Sequence, residues 1–328
     1  MRMKKFLAIS MSLLFLIVLS ACGANNDGTA SKETNKDKKE DSSETRTYKS
    51  AKGDIELLAN PERVVVAVQD YVGDVLAVGV TPIGATGTVF DIPYYEDKLK
   101  GVENIGDGTA ISVEKVTTLE PDVILTYADD TYEQLSKIAP TVLLPYGEHN
   151  YRERLLEFGK ILNKEKEAEE FLATFDERVK EKKQELAGKV EKDEKVVILE
   201  LTEKEIYLYG KSFGRAGEII YNELGLTAPE KVEEVAFSEG WAAISMETIP
   251  EYLNEADHIF LGVREVEGNA EGAEETKSGV TSLDIWKNLP AVKAGNVYEY
   301  EVDTMYYQDP IALDNQLDFV VESLLSNK

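Results

Sequence analysis

The chain has 328 residues, enough for about two domains at roughly 150 residues each. Charged residues make up 30% and hydrophobic ones 43%, with 23 glycines and 10 prolines, which excludes a collagen, a multispanning membrane protein and a wholly disordered chain. Lys and Arg total 36 against 62 Asp and Glu, a formal charge of −26 that argues against a nucleic-acid partner; the lone cysteine excludes an intrachain disulfide, and 2 histidines leave little for a histidine-rich metal site.

Arg2, Lys4 and Lys5 open the chain, Phe6 to Leu19 is an almost unbroken apolar run, and small Ser20 and Ala21 precede Cys22. This pattern predicts a secretory signal over residues 1–21, too short to span a membrane comfortably. Leu19-Ser20-Ala21-Cys22 resembles the bacterial lipobox, which implies cleavage before Cys22 and diacylation of its thiol. Each methylene buried in the bilayer contributes about 0.8 kcal/mol, so the acyl chains would tether the protein. Residues 22–47 read as the lipidated cysteine and a disordered linker, because Gly23 to Thr47 holds polar and charged residues and no apolar run.

From Pro61 onward short apolar runs alternate with helical patterns. Strands are predicted at 63–68, 82–85, 121–125 and 141–144, and helices at 70–78, 112–119 and 134–139. Such alternation predicts a mostly parallel sheet covered on both faces, with ligands outside the carboxyl ends of its strands. Tyr127 and Tyr146 stand at those ends. Residues 151–190 show helical spacing only, with Asn163 as a possible break, and read as a strut between lobes. Alternation then resumes, with strands at 195–200, 205–209, 258–261 and 296–300 and helices at 217–224, 245–253 and 309–325. The segment Ile111-Ser112-Val113-Glu114-Lys115-Val116 is echoed by Ile244-Ser245-Met246-Glu247-Thr248-Ile249, and each precedes a strand. The reading is two related α/β lobes, 48–150 and 191–328, joined by a long helix over 151–190.

Several of these segments carry a family resemblance. Asp74 to Gly84, and Val113-Glu114-Lys115-Val116 with Leu119 to Ile124, are similar to signatures of the iron-siderophore and vitamin B12 substrate-binding proteins of ABC importers. Tyr207 to Gly217, Gly240 to Ser245 and Tyr306 to Pro310 look most like the ferric hydroxamate receptors of Gram-positive bacteria. The resemblance covers roughly residues 60–326. It implies a class III substrate-binding protein, with a rigid interdomain helix and a ligand cleft between the lobes. It also implies a non-enzymatic, monomeric lipoprotein on the outer face of the cell membrane of a Gram-positive bacterium. Such a receptor hands its ligand to a permease with a cytoplasmic ATPase. Arg215 matches the ligand arginine, and Glu114 and Glu247 match the glutamates that dock each lobe on the permease. Phe213 and Tyr306 stand where relatives often have tryptophan.

A ferric siderophore satisfies iron with its own oxygens, so such a receptor needs no cofactor and no metal ligands. Arg215 offers a forked pair of hydrogen bonds to chelating oxygens. Tyr127, Tyr146, Tyr207, Tyr209, Phe213, Tyr306 and Trp241 offer aromatic faces, mostly with polar tips. The acidic chain, with Arg152, Arg154 and Arg178 on the predicted strut, favours a hydroxamate over anionic catecholate or citrate complexes. Mixed citrate-hydroxamates stay open, with Arg215 and Arg264 as carboxylate partners, and haem or cobalamin are further alternatives on the same fold. A phosphate loop at Gly210-Lys211-Ser212 is excluded because Glu205 stands where its first glycine belongs. A secreted hydrolase is the enzyme alternative, but neither G-x-S-x-G nor a metal-protease motif appears.

Overall fold

The computed structural model describes residues 44–108, 110–191, 193–265 and 269–326. The signal segment 1–21, Cys22 and the linker as far as residue 43 lie outside the described residues. Thr45 to Thr47, read from the sequence as the end of that linker, instead form half of a strand. That strand, β1 (Thr45–Ser50), pairs antiparallel with β2 (Gly53–Leu58). The hairpin is held down by Tyr48, whose hydroxyl donates to Glu157 at 2.7 Å, and by Arg46, which donates to the Ile161 carbonyl.

The first lobe is a parallel sheet of β3 (Val64–Val66), β4 (Gly84–Ala85), β5 (Glu103–Asn104), β6 (Val123–Thr126) and β7 (Thr141–Leu143), in the order β5-β4-β3-β6-β7. The second sheet contains β8 (Val196–Leu201), β9 (Ile206–Tyr209), β10 (Trp241–Ile244), β11 (His258–Val263) and β12 (Val297–Tyr300). Its order is β10-β9-β8-β11-β12, with β9 antiparallel to both of its neighbours. Counted within each lobe, both orders are third, second, first, fourth, fifth. The echoed hexapeptides therefore occupy equivalent places, each feeding the fourth strand of its sheet. Ser112 caps the helix Val113–Thr118 by accepting from the Lys115 amide. Its counterpart Ser245 precedes a 3-10 turn, Met246–Thr248, that runs into the helix Ile249–Leu253.

The predicted strut is two helices with the break at Asn163, where the sequence marked one. It comprises Tyr151–Leu162 and Glu165–Leu186, broken at Asn163, which adopts a left-handed conformation with φ +56°. Asparagine tolerates that region better than most residues, so the chain turns there at little cost. The second helix has 22 residues, about 33 Å at 1.5 Å per residue. Elsewhere the predicted turn at 134–139 is a helix at Asp129–Leu135, begun by Asp129 and Asp130, whose negative charges suit a helix start. The predicted helix at 217–224 is a π-helix over Glu218–Glu223.

Both lobes draw on the same connecting elements. Leu155, Phe158, Ile161 and Ala168 pack in the first core, whereas Phe175, Val179 and Leu186 pack in the second. The C-terminal helix Pro310–Leu325 does the same: Ile311 and Ala312 lie in the first core, and Leu313, Leu317 and Val320 in the second. Tyr307 reaches the first lobe too, its hydroxyl 2.8 Å from Thr88 Oγ1. Tyr95 donates to Asp309, whose other oxygen caps the helix through the Ile311 and Ala312 amides. The lobes are thus clamped by both the middle and the end of the chain.

Candidate functional site

Asp70, beyond the carboxyl end of β3, and Arg264, beyond that of β11, line connected cavities of one cleft, the location that strand order favours for ligands. On the first-lobe side, β3 leads into a 3-10 turn, Gln69–Tyr71, that presents Asp70. Tyr127, just after β6, donates to Asp70 Oδ2 at 2.8 Å. The Tyr127 ring meets Tyr71 and Tyr146 edge-on, each at 5.3 Å. Tyr71 is buried and anchored by a 2.8 Å bond to the Leu144 carbonyl. Burial raises the pKa of Asp70, and the Tyr127 hydrogen bond offsets part of that shift.

The opposite wall comes from one face of the second sheet. Register pairs Glu200 with Tyr207 and Tyr209 with Trp241, so these four side chains share a face. Beyond β9 the chain makes a turn in which Gly214, Arg215 and Ala216 all have left-handed φ, at +77°, +55° and +62°. A Cβ on Gly214 would lie 2.5 Å from the Tyr306 carbonyl oxygen, and the Arg215 amide donates to the Met305 carbonyl at 2.6 Å. Left-handed non-glycine residues cost roughly 1–2 kcal/mol each, and such strain persists where its surroundings enforce it. Here it aims one guanidinium. Arg215 Nε donates to Glu200 Oε2 at 2.7 Å, and its Cζ lies 4.6 Å from the Tyr209 ring centre and 5.0 Å from that of Tyr306. Burial opposes the charge of Arg215, but the Glu200 bond and carboxylate outweigh it and hold the pKa above the ordinary arginine value. Among the described residues no hydrogen bond engages the Arg215 Nη atoms.

Gly214→Ala is expected to destabilise the fold by about 1–3 kcal/mol, as overpacking does, and to weaken ligand binding by displacing Arg215. Thermal melting and ligand titration of the same variant check both effects. Unchanged affinity would mean that the turn does not set the position of the guanidinium.

Asp70, Tyr146, Arg154, Phe213, Arg215, Tyr306 and Gln308 line a narrow throat of about 30 Å³. Tyr146, Arg154 and Gln308 continue into a cavity of about 280 Å³ that reaches His149 and Glu218. Arg215 and Tyr306 continue into another of about 240 Å³ that reaches Thr88 and Arg264. Four large side chains are unusually exposed beside it: Tyr146 at 54%, Phe213 at 42%, Trp241 at 41% and Tyr306 at 39%. Clustered apolar exposure of this kind marks a binding surface.

Of the residues singled out in the sequence, Arg215, Phe213, Tyr146 and Tyr306 meet in the throat. Tyr127 stands behind it on Asp70, and Tyr209 is buried beneath Arg215. Tyr207 and Trp241 are in ring contact at 5.5 Å, with Trp241 6.5 Å from Phe213. Arg264 is engaged by Glu200, its Nε at 2.7 Å from Oε1. Glu114 and Glu247 are exposed in the first turns of their helical segments, one on each lobe. His258 is buried between Tyr298 and Glu194, 3.0 and 2.8 Å away.

Asp70, Arg154, Gln308 and Glu200 were missed in the sequence. Asp70 follows a strand end, the same signal that singled out Tyr127 and Tyr146. Arg154 carried no such signal: it sits on the connecting helix, yet reaches the throat, donating to Asp74 Oδ2 and the Gln308 carbonyl, each at 2.9 Å. Asp74 is fully buried and its Oδ1 has no partner among the described residues. Burial first, and then the nearby Asp309 charge, push it up to about 7 against the pull of Arg154.

Comparison with known proteins bears on the family and the fold. The iron(3+)-hydroxamate-binding protein FhuD of Bacillus subtilis (strain 168) is 39% identical over 325 residues, covering 98% of each chain. A solved FhuD fold-family protein from Bacillus subtilis, a component of a Fep/Fec-like ferrichrome ABC transporter, superposes with a TM-score of 0.76. It shares 40% identity, over 85% of this chain and 99% of its own. FhuD2 of Staphylococcus aureus, solved with bound ferrioxamine B, gives a TM-score of 0.70 at 29% identity, over 81% of this chain and 99% of its own. The periplasmic binding protein family matches residues 64–304. A match of that extent means that the chain belongs to the periplasmic binding protein family.

Proposed function

We propose that this protein captures a ferric hydroxamate siderophore outside the cell and delivers it to an ABC permease, without catalysing a reaction. The observation that carries this reading is Arg215, held by Glu200 in an aromatic throat with its Nη atoms in no hydrogen bond among the described residues. Hydroxamate oxygens on ferric iron are partly negative acceptors, suited to a forked, charge-assisted donor. The rings of Tyr146, Phe213 and Tyr306 cover the apolar chelator around them. Relatives named for iron(3+)-hydroxamate binding support the ligand class.

Titration with ferric hydroxamate, ferric catecholate, ferric citrate and cobalamin tests the reading. Trp241 is exposed beside Phe213 whereas Trp286 is buried, so quenching of tryptophan fluorescence reports mainly on the cleft. Saturable quenching by a hydroxamate alone is the expected result. Quenching by none of them, in a folded protein, would falsify the reading.

Delivery belongs to the same proposal. A lipid on Cys22 holds the receptor, a monomer, at the outer face of the membrane, and Glu114 and Glu247 pair with basic residues of the permease. Opposite charges at separated points fix orientation and speed encounter. Replacing both glutamates by alanine is expected to leave ligand affinity within about 2-fold, since both are exposed outside the cleft, while iron uptake by cells falls at least about 10-fold. Normal uptake by the double variant would remove them from the interface.

A further inference from the structure

The two walls of the cleft differ in charge. Arg215 and Arg264 share the single carboxylate of Glu200, so at the throat the second-lobe wall presents the Arg215 guanidinium, whereas Glu265 and Asp303 line the cavity beyond it. The guanidinium of Arg154 is balanced by Asp74 at 2.9 Å. Asp70 differs from these carboxylates: its side-chain hydrogen bond comes from the neutral phenol of Tyr127, and although Arg154 lines the same throat and favours its charge, no ion pair among the described residues includes Asp70. It lines the throat on the first-lobe wall, beside the exposed ring of Tyr146. A carboxylate next to aromatic faces is the arrangement that recognises an organic cation, through an ion pair and contact with the ring quadrupole.

We infer that Asp70 is a specificity-determining residue that receives a pendant ammonium group, so that the dipolar cleft selects and orients cationic ferric hydroxamates. The hydroxamate oxygens face Arg215 and the ammonium arm faces Asp70 with Tyr127 and Tyr146. A neutral ferric hydroxamate satisfies only one wall. One carrying carboxylates meets Asp70 as a repulsive charge. This inference rests on the siderophore reading and adds to it the charge class of the preferred ligand.

The test compares ferrioxamine B, a ferric trihydroxamate with a free terminal ammonium, with its N-acetylated derivative, which keeps the iron coordination and loses the charge. Both are titrated into the full chain in detergent micelles at low salt. The wild type is expected to bind the ammonium form about 10-fold tighter, a preference carried by one charge-assisted contact. Asp70→Asn should bring the two dissociation constants within about 2-fold of each other. Equal affinities in the wild type, or an undiminished preference in Asp70→Asn, overturn the inference. Should Asp70→Asn fail to fold, the wild-type ratio and its decline with salt decide the matter. Wild-type protein that binds neither complex fails the receptor reading itself, and this inference with it.

Discussion

Arg215→Ala is expected to weaken ferric hydroxamate binding by about 100-fold or more while the protein stays folded. Two hydrogen bonds from a charged donor, each worth about 1.5–3 kcal/mol, are lost together at the centre of the cleft. The fold should survive because Glu200 does not become an unpaired buried carboxylate: Arg264 still donates to its Oε1 at 2.7 Å. Arg215→Lys keeps the charge but not the fork, and should recover only part of the affinity. Fluorescence titration and thermal melting of both variants check the two halves of the statement. Affinity within about 3-fold of wild type in Arg215→Ala would transfer the binding role to the aromatic walls alone.

Arg154→Met is expected to produce the largest loss of stability, about 3–5 kcal/mol, because it strips the partner from a fully buried carboxylate. Asp74 Oδ1, which has no partner among the described residues, would stay so, Oδ2 would lose its bond, and the Gln308 carbonyl would lose the Arg154 donor. The deficit should depend on pH. In the folded protein Asp74 titrates at about 7 against an ordinary value of 3.8. Below about pH 4 both folded and unfolded chains carry its proton, so the group contributes nothing to the pH dependence. As pH rises from 4 through 7, only the folded state retains that proton, and stability from this group declines. Removing Arg154 pushes Asp74 further up, so the deficit should be small near pH 4–5 and greatest near pH 8. Denaturant unfolding at both ends of that range measures it. The double variant Arg154→Met with Asp74→Leu should regain much of the loss at pH 8, since no buried charge remains. A deficit that does not change with pH would mean that packing of the arginine stem, and not its charge, holds the lobes.

Much of the architecture was readable in advance because hydrophobic period and strand-end position are local properties. Val64 to Val66 and Val196 to Leu201 are continuous apolar runs, and they are the buried first strands of the two lobes. The echo of Ser112-Val113-Glu114 in Ser245-Met246-Glu247 marked equivalent positions in two sheets of the same order. Part of the candidate cleft was also legible: Tyr127 and Tyr146 lie just beyond predicted strands, whereas Phe213 and Arg215 were singled out by the family resemblance of Tyr207 to Gly217. Asp70 obeys the same rule, but it opened a predicted helix and was read as part of it.

What the sequence determined by itself, then, is the pair of α/β lobes and the strand-end tyrosines Tyr127 and Tyr146, because strand alternation and the residues following each strand are set by neighbours in the chain; the rest of the candidate cleft came from the family resemblance. The tertiary structure alone decided which charges meet. Glu200 lies 15 residues from Arg215 and 64 from Arg264, and Arg154 reaches Gln308 across 154 positions. No local pattern encodes such pairings: each follows from where the sheets and the helices Tyr151–Leu162 and Pro310–Leu325 pack. The same packing divides that last helix between two cores, a fact invisible in a periodicity that is apolar along its whole length.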